Sequence, residues 1–202
     1  SSSSSVYGDV EEKDLPTSEN AQLNPMSPYA LHKLIGEQYC KLFSELYDIK
    51  SVCLRYFNVY GKRQTTDGAY CLVMGVFAGQ ILNGKPMTIR GDGEQRRDFT
   101  HVDDVVEANI LSATNNKIFD KVKCRAFNIG NGDNRSVNQI ADLIGDNKVY
   151  VKPVIEPKQT LSNNKKAKEL LGWNPKGNLE KWIPKWKKEI GLGGKLDAKS
   201  WH

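Results

Sequence analysis

The chain has 202 residues, 39% hydrophobic and 26% charged, with a net charge of +5, a balance that excludes a disordered chain and suits one large domain or two small ones. No apolar run approaches the ~20 residues that span a bilayer, so no membrane partner is expected. Four cysteines (Cys40, Cys53, Cys71, Cys124) and three histidines (His32, His101, His202) form neither a CxxC pair nor a metal-ligand spacing, which points to reduced thiols, a cytoplasmic setting and no metal.

Five serines run straight into Val6-Tyr7-Gly8, and a polar loop containing Pro and Asn covers 9–26. Ser27-Pro28 then starts a helix, with Ser as N-cap and Pro at the first helical position. Leu31, Leu34, Ile35, Gln38, Leu42 and Leu46 fall near one face at helical spacing and carry this helix to about Tyr47. SVCLRYFNVYG (51–61) reads as a buried strand followed by a loop, and a helix is expected over about 69–83. MTIRGDGEQRRDFTHV (87–102) reads as a hairpin: strand, Gly-Asp-Gly turn, second strand. Asp103 is expected to cap the helix DDVVEANILSAT.

FNIGNG (127–132) reads as a strand ending in a glycine turn, and Ser136 with Gln139 as the capping box of a helix reaching about Ile144. VYVKPVIEP is a further short strand. KKAKELLG and NLEKWIPKWKKEIG are the last helices, the second expected to be kinked or interrupted at Pro184. GLGGKLDAKSWH reads as a frayed tail. Interleaved Lys and Trp in the last third can suggest nucleic acid. The spacing better suits amphipathic helices whose Trp residues face the core, so no nucleic-acid partner is expected. Strands alternate with helices throughout, which makes the class α/β.

Tyr29 and Lys33 lie at i and i+4 of the first helix, so both side chains project from one face about a turn apart. An ammonium near a phenol favours the phenolate, and a tyrosine tuned in that way exchanges a proton with a sugar or alcohol hydroxyl. A serine on a nearby loop can hold the same oxygen. By itself YxxxK is a weak signal that is more often a surface pair on an amphipathic helix.

The segments around it narrow the reading. SSSSVYGD, SPYALHK, LRYFNVYGKRQ, GDGEQRRDFTHVDDV, FNIGNGDNRSVNQIA and KAKELLGW resemble, in order and approximate spacing, the extended short-chain dehydrogenase/reductase family, and within it the nucleotide-sugar epimerases and dehydratases. The resemblance reaches about Leu192. It implies part of a Rossmann-type dinucleotide-binding domain over 1–66. Over 67–192 it implies mainly a small α/β domain for the nucleotide sugar, with strand segments returning to the Rossmann sheet, and a tail over 193–202. It also implies NAD as cofactor, a UDP-sugar as first choice of substrate, and a homodimer with helix 27–47 in its interface.

Residue by residue, the resemblance makes Ser3 the catalytic serine that holds the substrate oxygen, Tyr29 the catalytic tyrosine and Lys33 the lysine that also binds the nicotinamide ribose. The backbone of Tyr56 and Phe57 would lie near the nicotinamide, and Asn58 would touch the substrate diphosphate or sugar. Arg97 matches the arginine that binds the nucleotide diphosphate, where a guanidinium fork suits phosphate oxygens. Gly91 and Gly93 read as turn glycines.

The implied reaction oxidises a sugar C4 hydroxyl to a 4-keto sugar. A 4,6-dehydratase of this family carries a carboxylate in the two residues after the catalytic Ser/Thr. Ser4 and Ser5 stand there, so a 4-epimerase acting on a UDP-hexose or UDP-N-acetylhexosamine is favoured over a dehydratase or reductase. The family's glycine-rich strand-turn-helix for the NAD pyrophosphate has no counterpart here, because GDGEQRRD falls in the expected hairpin. The chain is therefore expected to be a C-terminal portion with apolar surface exposed, and a non-catalytic nucleotide-sugar-binding or subunit-interaction module is the alternative. The arginine that many relatives carry before the KAK helix is also missing, leaving Lys152 or Lys158 as stand-ins without a bidentate fork.

Overall fold

The computed structural model describes residues 1–68, 71–115 and 124–192. Its centre is a parallel sheet of β1 (Ser2–Ser3), β2 (Val52–Tyr56) and β7 (Arg125–Ile129), with β2 in the middle. Ser3 stands opposite Tyr56, and Tyr56 opposite Ile129. The β2 segment Val-Cys-Leu-Arg-Tyr is β-branched and aromatic at its ends, and it is at least half-buried along its length, as a central parallel strand covered on both faces should be.

Helix α1 (Pro28–Tyr47) packs on β1 and β2. Ser27 Oγ accepts the Ala30 amide at 3.1 Å, Pro28 opens the first turn, and the helix stops at Asp48 in the left-handed region. Leu34 reaches the small core of Val6, Tyr7 and Phe57, whereas Leu31, Ile35, Tyr39, Leu42 and Leu46 stay exposed. Helices α3 (Val102–Thr114) and α5 (Lys165–Leu171) pack on β2 and β7. They close a core of Leu54, Phe127, Ile129, Val105, Ala108, Leu171 and Trp173.

A second core lies under a parallel pair, β4 (Met87–Arg90) and β9 (Lys148–Val151). Helices α2 (Val73–Leu82), α4 (Val137–Ile144) and α6 (Leu179–Glu189) bring Met74, Phe77, Ile140, Ile183 and Trp186 against Met87 and Ile89. Ser136 and Gln139 form the expected capping box of α4. Trp173 and Trp186 are buried, and Trp182 stacks on Trp186 at 5.1 Å, so these tryptophans do face the core.

Four expectations change. Residues 87–102 are not a hairpin: β4 pairs with β9, while β5 (Arg96–Asp98) pairs antiparallel with β8 (Asn134–Ser136). Gly91 and Gly93 have φ of +65° and +77°, and they turn the chain out of the β4 sheet. A Cβ on Gly93 would stand 2.2 Å from Asn138 Oδ1 of α4, so the turn packs on that helix instead of joining two paired strands. The cap of α3 is His101, whose Nδ1 accepts the Asp103 amide at 3.2 Å. Asp103 lies inside the first turn, where its charge meets the positive end of the helix dipole.

The helix expected over 69–83 starts at Val73, with 69 and 70 outside the described residues. Helix α6 runs through Pro184 without a break. Its ring is on the exposed side, and Leu179, Ile183 and Trp186 anchor the opposite side. The tail at 193–202 lies outside the described residues.

Candidate active site

The carboxyl ends of β1 and β2 meet the first turns of α1. A cavity of about 530 Å³ opens there, and Ser3, Tyr29, Lys33, Tyr56, Asn58 and Arg97 all line it. Residues distant in sequence arrive together because the register places Ser3 beside Tyr56 and α1 lies across both strands. Ser3 ends its strand and caps a 3₁₀ turn over Ser4–Tyr7, its Oγ accepting the Ser5 amide at 3.2 Å. Tyr29 is 39% exposed. The Lys33 ammonium lies 5.7 Å from the Tyr29 ring centroid and donates to the carbonyl and hydroxyl of Ser1 at 3.1 and 3.3 Å.

Tyr56 OH donates to Asn109 Oδ1 of α3 at 3.0 Å. Asn58 Nδ2 donates to the Asp98 carbonyl at 3.1 Å and lies 3.4 Å from Thr160 Oγ1. Phe57 is placed differently. Its side chain is buried with Val6 and Tyr7, away from the cavity, and its backbone N–H donates to the Ile129 carbonyl at 3.1 Å.

Arg97 stands between this cavity and an adjoining one of about 370 Å³ that Thr88, Arg90, Gln95 and Phe99 help to line. Its Nη2 donates to Glu156 Oε2 at 2.6 Å, and Gln95 Nε2 donates to the other Glu156 oxygen at 3.3 Å. Burial lowers the pKa of the Arg97 guanidinium, and the charge of Glu156 offsets part of that; an arginine remains a cation at neutral pH. Neither Lys152 nor Lys158 lines either cavity. Lys158 is tied to Asp9 and Arg96 through its backbone and faces a separate acidic depression with Glu11, Glu12 and Glu94. The group that meets Arg97 is the Glu156 carboxylate, not a second cation.

Three buried polar groups outside the cavity lining were not anticipated. Asp98 is fully buried and accepts the amides of Asn131, Gly132 and Ser162 at 2.8, 3.0 and 2.9 Å. Burial pushes its carboxyl up to about 6, and the three amides pull the other way. Asp104, also buried, accepts the amides of Lys176 and Gly177. A third group, Glu37 with Arg55, joins α1 to β2 at 2.6 and 2.8 Å. The repeat of Tyr29, Lys33 and Glu37 at every fourth position was the available signal for that last group. Among the described residues, no set of three or more His, Cys, Asp or Glu is placed to hold a metal ion, and no helix is long and apolar enough to cross a membrane.

An α/β fold whose serine, tyrosine and lysine meet at the carboxyl ends of parallel strands defines a Rossmann-type protein of the short-chain dehydrogenase class. The chain belongs to the NAD dependent epimerase/dehydratase family, whose sequence profile matches residues 1–130. It is 38% identical over 189 residues to a putative UDP-glucose 4-epimerase of Methanocaldococcus jannaschii, covering 91% of this chain and 59% of that protein. Among solved structures, a UDP-glucose 4-epimerase of Thermotoga maritima with UDP-glucose superposes with a TM-score of 0.81 at 35% identity, over 94% of this chain and 62% of that one. A UDP-glucuronic acid 4-epimerase of Bacillus cereus, solved with UDP-glucuronic acid and NAD, gives 0.80 at 33% identity, over 95% and 60%. The chain thus spans about three-fifths of the length of these relatives.

Proposed function

We propose that this chain carries the catalytic and substrate side of an NAD-dependent nucleotide-sugar 4-epimerase acting on a UDP-hexose or UDP-N-acetylhexosamine. The observation that carries the reading is the convergence of Ser3, Tyr29 and Lys33 on one cavity that also holds Arg97. The cavity lies outside the carboxyl ends of parallel strands, where a dinucleotide crevice belongs in this architecture. The Tyr29 hydroxyl and the Lys33 ammonium there suit a ribose and a nicotinamide end, so the residues present fit NAD. When bound, NAD+ supplies the hydride acceptor.

The chain's own residues do the rest. The Tyr29 phenolate takes the proton of the sugar C4 hydroxyl, Ser3 Oγ hydrogen-bonds that oxygen, and Lys33 stabilises the phenolate and binds the nicotinamide ribose. With NAD bound to supply the hydride chemistry, the 4-keto sugar would turn over within the cavity and Tyr29 would give the proton back to the C4 oxygen. The backbone at Tyr56 would border the nicotinamide, and Asn58 would orient the sugar or diphosphate; Phe57 lies outside the cavity lining. Arg97 exchanges Glu156 for the diphosphate, which a guanidinium fork holds more strongly than a lone ammonium could.

Ser4 and Ser5 offer no carboxylate for elimination across C5 and C6, which favours epimerisation over dehydration. The exposed Leu31, Ile35, Tyr39, Leu42 and Leu46 of α1 support pairing with a second copy through this helix. The test is conversion of UDP-galactose to UDP-glucose by the purified chain with NAD+. Tyr29→Phe is expected to abolish turnover while UDP-sugar binding persists. A 4-keto-6-deoxy product would establish a dehydratase instead, and UDP-sugar binding without turnover in the unaltered chain when NAD+ is also bound would establish a binding module.

A further inference from the structure

Directly behind the cavity lies a buried ionic network. Arg55 and Glu37 are 4% and 9% exposed, and they meet as a fork on a fork: Nε to Oε1 at 2.8 Å and Nη2 to Oε2 at 2.6 Å. Ser2 Oγ donates to the same Glu37 Oε1. Arg55 Nη1 donates to Tyr7 OH at 2.8 Å and to the Glu19 carbonyl at 3.2 Å, and Tyr7 OH donates to Asn128 Oδ1 at 2.6 Å. Burial pushes the Tyr7 hydroxyl up to about 12, so it stays a neutral donor.

A buried ion pair is a weak source of stability, because desolvating two charges offsets most of their attraction, whereas an apolar pair of similar volume is often as stable. What such a pair does supply is geometry. Its members here are the immediate neighbours of the cavity residues. Ser2 precedes Ser3 and lies opposite Arg55 in the ladder, one step before the Ser3–Tyr56 pair. Glu37 lies one helical turn beyond Lys33 and two beyond Tyr29. One carboxylate therefore holds the strand of the serine, the strand of Tyr56 and the helix of the tyrosine and lysine to a common point.

We propose that Glu37, forked onto Arg55 and bonded to Ser2, is a positioning residue that fixes Ser3 against Tyr29 and Lys33. The catalytic consequence rests on the reading of those three residues given above; the clamp itself does not. Ser2 Oγ on Glu37 and the Ser1 carbonyl and hydroxyl on Lys33 Nζ tie this end of β1 to α1; of these links only the one from Ser2 ends on a group forked to β2. A serine displaced by an ångström lowers the rate far more than the affinity, since orientation acts in the transition state.

Two variants separate positioning from folding. Ser2→Ala cuts only the tether to β1 and leaves the ion pair intact. Glu37→Leu with Arg55→Met removes both charges together, leaves no orphan charge and is expected to fold. The first readout is amide hydrogen exchange by NMR. In both variants exchange at Ser3 and Ser5 should rise about tenfold or more, as expected for loss of a charge-assisted bond, while Leu54 and Phe127 in the β2–β7 ladder stay protected. Exchange that rises uniformly, or not at all, overturns the clamp.

The second readout is turnover of UDP-galactose with NAD+: kcat should fall at least tenfold in the double variant with KM changed less than threefold. Selective loss of protection with kcat retained overturns the catalytic role. If the unaltered chain does not turn over by itself, the exchange result alone decides the clamp.

Discussion

Replacing Asp98 by asparagine tests the balance of forces at the root of the cavity. Asp98 follows Arg97 on β5 and is fully buried, with three backbone amides on its two oxygens. Burial raises its pKa from 3.8 to about 6. The folded protein therefore holds a proton between those values that the unfolded chain has released, so stability falls as pH rises through this window. The contribution is fully present below 3.8, is lost progressively up to about 6, and changes no further above that. At about 1.4 kcal/mol per unit, the loss is about 3 kcal/mol. In Asp98→Asn the same position cannot titrate, and an Nδ2 group turned towards an amide adds a penalty that is constant with pH. Denaturant unfolding of both proteins from pH 4 to 7 isolates the effect, because other carboxylates cancel in the difference. The stability of the aspartate protein relative to Asp98→Asn should fall by about 2 kcal/mol from pH 4 to 7, the rest of the loss lying below pH 4. A difference that instead grows with pH would mean that the three amides outweigh burial, and the reasoning would be refuted.

Trp173→Ala should cost about 3–5 kcal/mol, read as a shift of the denaturant midpoint; the side chain is fully buried and its Nε1 donates to the Asp104 carbonyl at 2.8 Å. A loss below 1 kcal/mol would contradict the assigned core. Arg97→Lys keeps the charge but not the fork, and calorimetry should show UDP binding weakened about tenfold or more. Equal affinity would remove Arg97 from the diphosphate site. Leu42→Glu with Leu46→Glu, on the exposed side of α1, should abolish the proposed pairing through this helix; light scattering that shows the unaltered chain as a monomer, or a dimer that survives both substitutions, would refute pairing through α1.

Local chemistry was the most readable part of the sequence. Ser27-Pro28 and Ser136/Gln139 announce two helix starts, because a cap is decided within four residues. Tyr29 and Lys33 were legible for the same reason, as one helical turn brings them together. The hairpin expected over 87–102 failed because a Gly-Asp-Gly turn specifies a reversal of direction, not which strand the next segment pairs with. That partner, β8, comes much later in the chain, after β7. The cap of α3 was misplaced by two residues because His101 competes with Asp103 through a ring nitrogen. The pairing of Arg97 with Glu156 crosses fifty-nine positions and left no local trace; the missing arginine directed attention to lysines when the relevant group was a carboxylate.

The sheet that carries the cavity joins residue 2 to 55 and residue 54 to 127. No short-range contact can assemble it, and the entropy of closing such long loops must be met before the pairing is rewarded. Ser3 therefore comes into register with Tyr56 only when strands about fifty residues apart in the chain have paired. During refolding from denaturant, helical signal should return ahead of ligand binding. A chain arrested short of its native topology can hold well-formed helices and still lack the assembled cavity.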